Sequence, residues 1–134
     1  MNDALVLDAS ALLAYLRDEP GGTAVAEALG QGTVLSAVNL AEVLSKVAEE
    51  GEDPDELAER LGFEGLANFG VEVVPFTELD ARMVVRRSLP TRAAGLSWGD
   101  RACLALGVRL GYGVLTADRR WATLNLGVEV TLVR

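Results

Sequence analysis

The sequence predicts an α/β domain, with helices on both faces of a mainly parallel sheet of about five short strands. Three observations predict it. Short apolar runs of strand length alternate with longer stretches of helical spacing, the pattern of successive βαβ units. The first run, Ala4-Leu5-Val6-Leu7, is apolar at every position, as expected of a strand covered on both sides. The chain has 134 residues, half of them apolar, which is enough for one cored domain over 1–134, and no linker, repeat or low-complexity tract divides it.

Taken in order, strands are expected at residues 4–7, 33–35, 71–76, 113–116 and 128–133, the last with alternating polarity. Helices are expected at 11–16, 23–29, 37–50, 55 to about 68, 78–89, 97–110 and 119–124. The breaks between them carry the residues that interrupt helices: Pro20-Gly21-Gly22, Gly30-Gln31-Gly32, Gly51 with Pro54, and Pro90. Residues 78–89 place Leu79, Met83, Arg86 and Arg87 at helical spacing, and 97–110 carry Ala102, Cys103, Ala105 and Leu106 along one strong helix.

Composition removes several chemistries. With no His in the chain, a Ser-His-Asp triad, a Cys-His dyad and any His-ligated zinc site are excluded. The single cysteine, Cys103, has no partner for an intramolecular disulfide and sits in an apolar stretch, which reads as core. No apolar run approaches the ~20 residues that span a bilayer, and Met1-Asn2-Asp3 lacks the basic flank of a signal peptide. A soluble cytoplasmic protein without a membrane partner is expected. The formal charge of −8 disfavours a nucleic-acid partner at first sight. Its distribution changes that reading: residues 1–70 hold 3 basic and 14 acidic side chains, whereas residues 71–134 hold 9 basic and 6 acidic. Arg82, Arg86, Arg87, Arg92, Arg101, Arg119 and Arg120 lie in the positive part, as phosphate contacts or as ion-pair partners of the acidic half.

In open α/β sheets ligands bind beyond the carboxyl ends of the strands. Asp8 directly follows the first strand, Glu42 lies early in the helix after residues 33–35, and Asp118 stands just beyond residues 113–116. Asp100 opens the helix of Ser97-Trp98-Gly99-Asp100. Two readings of these acids remain open. Asp8 and Asp118 suit helix N-caps, and Ser97 with Asp100 suits a capping box; Glu42, away from a Leu40, Leu44 and Val47 stripe, suits a solvated face with Asn39 beside it. As a set, four carboxylates at one sheet edge repel one another unless a cation neutralises them, and all-oxygen donors select Mg2+ or Mn2+. Two such ions, ~4 Å apart, orient a water for attack on a phosphodiester. Ser10 and Thr116 are placed either to support these carboxylates or to satisfy their own turns.

The segments Leu5-Val6-Leu7-Asp8-Ala9-Ser10-Ala11-Leu12, Ser36-Ala37-Val38-Asn39-Leu40-Ala41-Glu42-Val43, Leu96-Ser97-Trp98-Gly99-Asp100-Arg101-Ala102-Cys103-Leu104-Ala105-Leu106-Gly107 and Leu115-Thr116-Ala117-Asp118-Arg119-Arg120-Trp121 together resemble a PIN domain. In length the chain resembles the VapC toxins of VapBC toxin–antitoxin modules. The resemblance implies a PIN-like three-layer α/β/α fold and a metal-dependent endoribonuclease acting on RNA. It implies Asp8, Glu42, Asp100 and Asp118 as the acidic metal and catalytic cluster, with Ser10 and Thr116 in support. It further implies a homodimer and a VapB-like antitoxin, for which residues 55–66 and the apolar face of 23–29 are candidate surfaces. A receiver-like domain would need an acid pair after the first strand and a lysine after the last; Asp8 stands alone and the sole lysine is Lys46. A dehalogenase-like phosphatase would need Asp-x-Asp where Asp8-Ala9-Ser10 stands. The remaining alternatives are a non-catalytic protein-binding module whose acids are caps, and an isolated PIN nuclease without an antitoxin.

Overall fold

In the computed structural model, which describes residues 4–59, 70–86, 95–123 and 127–134, the all-apolar first strand lies at the centre of the sheet. The elements are β1 (Leu5–Leu7), α1 (Ala9–Leu16), α2 (Gly22–Gln31), β2 (Thr33–Ser36), α3 (Ala37–Glu49), α4 (Pro54–Glu59), β3 (Val71–Val74), α5 (Glu78–Arg86), α6 (Trp98–Leu110), β4 (Gly113–Thr116), a 3-10 helix (Arg119–Thr123) and β5 (Val130–Leu132). The strand order is β3-β2-β1-β4-β5, and every neighbouring pair is parallel. The result is a three-layer α/β/α fold.

The register explains why β1 has no polar face. Val6 pairs with Val34 and Val114, and Leu7 with Leu35 and Leu115, so the valines point to one side of the sheet and the leucines to the other. The leucine side packs on Ala11 and Leu12 of α1, Val25 and Leu29 of α2, Val43 and Val47 of α3, and Leu57 of α4. The valine side packs on Cys103, Leu104 and Leu106 of α6 and on Trp121, which is wholly buried. Cys103 is thus a free core thiol, as its setting predicts. Val25, Ala28 and Leu29 of α2 and Leu57 of α4 are used up in this core, so these residues offer no free apolar face to a partner.

Several boundaries differ from expectation for local reasons. β3 ends at Val74 because Pro75 has no N–H to continue the ladder. β5 is confined to Val130–Leu132, the residues in register with β4. Residues 119–123 wind as a 3-10 helix. The expected helices at 55–68 and 78–89 extend into residues outside the described ones, as does the expected helical end at 124, and Arg87 and Arg92 also lie there.

The buried residues of α5 are Asp80 and Val84, while Leu79 is 53 % exposed. Asp80 is buried because it has two tasks. It forms a capping box with Thr77, whose N–H donates to Asp80 Oδ2 at 3.0 Å while Asp80 N donates to Thr77 Oγ1. It also accepts from Arg109 of α6, Nε at 2.6 Å and Nη2 at 3.2 Å, which fastens α5 to α6. Asp80→Ala strands the Arg109 guanidinium against this interface and is expected to cost ~3 kcal/mol, read as a lower midpoint in urea unfolding. An unchanged midpoint would show that the pair contributes nothing.

Candidate active site

Parallel strands bring their carboxyl ends to one edge, and β1 and β4 meet at the point where the strand order reverses direction. Asp8 leaves β1 there. Its backbone is extended, its N–H donates to Leu115 O, and its side chain caps α1 by accepting from Ala11 N at 2.8 Å. The same carboxylate accepts from Ser10 Oγ at 2.8 and 2.9 Å and from Thr116 Oγ1 at 2.5 Å. Each hydroxyl in turn accepts from the loop after β4: Ala117 N donates to Ser10 Oγ and Asp118 N to Thr116 Oγ1, both at 3.0 Å. Ser10 and Thr116 therefore both support Asp8; Thr116 also satisfies its own turn, whereas Ser10 satisfies the distant amide of Ala117.

The other three acids reach the edge by different means. Asp100 completes the capping box of α6, accepting from Ser97 N at 2.9 Å, while Ser97 Oγ accepts from Asp100 N at 3.1 Å. Asp118 accepts from Arg120 N at 3.0 Å and from the Arg120 guanidinium on both oxygens. Glu42 caps nothing. Its Oε1 accepts from Asn39 Nδ2 at 2.7 Å, and the same amide donates to Gly99 O at 3.0 Å, joining α3 to the first turn of α6. Asn39 is wholly buried with Val43 and Val47, while Leu40 and Leu44 of the expected stripe are partly buried against the same core, so the inward face of α3 is wider than that stripe and includes Asn39. Glu42, half-buried beside it, reaches the edge.

Asp8, Glu42, Asp100 and Asp118 line one cleft of about 620 Å3, together with Ser10, Ser45 and Lys46. Among the described residues no three acids or cysteines are closed up into a metal nest; three of these four carboxylates are engaged by backbone donors and the fourth by Asn39. The electrostatics show their proximity. Burial pushes the Asp8 carboxyl up to about 6, against its three hydrogen-bond donors, and the Asp100 charge adds to the rise. Burial and Asp100 likewise raise Glu42, partly offset by Asn39. Asp118 moves the opposite way, held below the usual carboxylate range by Arg120. An all-oxygen donor set with mutually repelling carboxylates fits a hard divalent cation.

Sequence reasoning gives no role to two residues here, Lys46 and Gly99, and reads Asn39 only as a companion of Glu42. Lys46 lies one helical turn beyond Glu42, at i+4, a spacing that places both on one face. Gly99 has no side chain because a Cβ there would collide with the Glu42 carboxylate.

With this geometry in place, comparison with known proteins identifies its class. The sequence pattern of the PIN domain matches residues 5–125. The chain belongs to the PIN domain family. Comparison with curated proteins gave no match. Among solved structures, the chain is similar to FitAcB from Neisseria gonorrhoeae at 24 % identity and TM-score 0.69, covering 94 % of this chain and 95 % of that one. It is similar to DNA-bound VapBC from Salmonella typhimurium at 15 % identity and TM-score 0.72, with full coverage of both chains (100 % each). It is also similar to VapBC-5 from Mycobacterium tuberculosis, a member of the VapBC family of toxin–antitoxin systems, at 24 % identity, TM-score 0.59 and 98 % coverage of each.

Two predictions follow from the cleft. Because the folded-state value of Asp8 lies above its ordinary 3.8, its protonated form stabilises the fold. That contribution is fully present below pH ~4 and lost as pH rises through ~6, on the order of 3 kcal/mol in metal-free protein. Urea titrations from pH 4 to 7 should give a steeper loss for wild type than for Asp8→Asn; coincident slopes would refute the assignment. Gly99→Ala should displace Glu42, the flexible side chain in its path, with less than ~1 kcal/mol of destabilisation. Its Mn2+ affinity should fall severalfold, and an unaltered affinity would exclude Glu42 from the cation site.

Proposed function

We propose that this protein is a Mg2+- or Mn2+-dependent endoribonuclease, the toxin of a type II toxin–antitoxin module, which hydrolyses RNA phosphodiester bonds in the cleft bounded by Asp8, Glu42, Asp100 and Asp118. The observation that carries the proposal is Glu42. Capping by itself accounts for acids at Asp8, Asp100 and Asp118, but Glu42 caps nothing and is held at the same cleft by a buried Asn39, with the Asp100 charge acting on it. Helix capping therefore leaves this fourth acid unexplained.

A divalent ion bound by these carboxylates supplies neutralising charge and polarises the phosphate. The chain's residues set the geometry. Ser10 and Thr116 fix the orientation of Asp8, Asn39 that of Glu42, and the Ser97 backbone that of Asp100. Glu42, whose carboxylate faces the cleft, is suited to accept the proton of the attacking water. Lys46 at the cleft wall supplies a cation for the phosphate.

The toxin role rests on the PIN family together with the fold neighbours, which are toxin–antitoxin proteins. It brings with it a VapB-like antitoxin that obstructs the acidic pocket, a homodimer, one domain spanning 1–134 and a cytoplasmic setting. Among the described residues no helix is long and apolar enough to cross a membrane.

Asn caps a helix about as well as Asp but replaces a charged ligand poorly. Asp8→Asn and Asp100→Asn are therefore expected to remain folded by circular dichroism and to lose at least ~100-fold in Mg2+- or Mn2+-dependent RNA cleavage. Cleavage retained by both variants, or none by wild type with any cellular RNA, would leave the acids as caps and favour the protein-binding module.

A further inference from the structure

We propose that Arg120 is an internal counter-cation of the cleft. Its guanidinium occupies Asp118 until a divalent cation takes that carboxylate, and then turns to a non-bridging phosphate oxygen of the RNA. The inference rests on the reading of the cleft as a metal-dependent nuclease site and concerns a residue that neither the family pattern nor the acid cluster assigns.

The geometry is one of competition. Arg120 Nε donates to Asp118 Oδ1 at 3.0 Å and Oδ2 at 3.1 Å, and Nη2 donates to Oδ2 at 2.6 Å. Both oxygens are therefore covered by the cation of this chain. Metal coordination needs lone pairs on those oxygens, so the two cations exclude one another in this arrangement. The Asp100 charge also acts on Arg120, though its direct partner is Asp118.

The pairing is built to be given up. The Arg120 side chain is 56 % exposed, and an exposed ion pair contributes little to stability. Release of Asp118 breaks no buried contact, because Trp121 and not Arg120 supplies the core contact of this 3-10 helix. Nη1 makes no hydrogen bond among the described residues and stands 3.6 Å from the place a Cβ would take at Gly95, in the segment leading to Ser97 and Asp100. A released guanidinium at this rim has the planar fork that matches phosphate oxygens. Arg119, also exposed, makes no such pair with Asp118 among the described residues.

Calorimetric titration of the full chain with MnCl2 tests the first half, and steady-state cleavage of a single-stranded oligoribonucleotide at saturating Mn2+ tests the second. Arg120→Gln should tighten Mn2+ binding about fivefold and raise KM for the RNA roughly tenfold with kcat little changed. Arg119→Gln removes the same charge one residue away and should alter neither value by more than about twofold. In an Asp118→Asn background, Arg120→Gln should no longer tighten Mn2+ binding. A general structural defect would weaken the metal, the opposite sign. Unchanged or weaker Mn2+ binding in Arg120→Gln, or equal tightening in Arg119→Gln, overturns the competition; tightening without a rise in KM overturns the transfer to phosphate. If wild type binds no Mn2+, the nuclease reading falls and this proposal with it, whereas binding by wild type with no effect of Arg120→Gln sinks only the proposal.

Discussion

The structure depends on one buried carboxylate. Asp8 is 3 % exposed at the carboxyl end of the central strand, where an unpaired charge would be costly. Three donors from two parts of the chain converge on it: Ala11 N and Ser10 Oγ from α1, and Thr116 Oγ1 from the end of β4. The two hydroxyls then bind the amides of Ala117 and Asp118. One side chain therefore starts α1, ties β1 to β4 across the reversal of strand order, and shapes the loop that presents Asp118. Even with these donors, burial still dominates its ionisation. A site so arranged is stabilised by a proton or by a cation, and the second is the chemistry the other three acids favour.

Capping and cation binding are often treated as competing explanations of acids at helix starts. Here the two are compatible, because parallel strands deliver helix N-termini to the same edge as the cleft. Asp8 and Asp100 each satisfy an orphan backbone N–H and line the cleft as well. A carboxylate that is already oriented by backbone donors loses little further freedom when it meets an ion. Glu42 shows the alternative. Mid-turn on α3, it has no backbone donor to orient it, and the fold uses Asn39 to hold it and an absent side chain at Gly99 to make room.

The uneven charge of the chain has a matching structural outcome. Much of its positive part is already paired: Arg82 with Glu78, Arg109 with Asp80 and Arg120 with Asp118. These pairs serve different ends. The first is exposed and adds little, the second is largely buried and joins two helices, and the third lies at the rim of the cleft. The mean charge of −8 therefore says little about whether the surface suits a polyanion; the placement of individual arginines says more.

The sequence by itself determined the α/β class, the five strands, most element starts and the four acids, because each leaves a local mark: an all-apolar run for a doubly covered strand, a Gly or Pro at a break, an acid after a strand. It also carried the family, through four short segments in order. Only the tertiary structure decided what those marks could not encode. The burial of Asn39, which holds Glu42 at the cleft, depends on α6 meeting that flank of α3, and the apolar stripe of Leu40, Leu44 and Val47 gives no sign of it. The burial of Asp80 depends on Arg109, 29 positions along the chain, and the hold of Thr116 on Asp8 spans 108. Partners so distant in sequence are chosen by strand order and helix packing, and a local pattern carries no record of them.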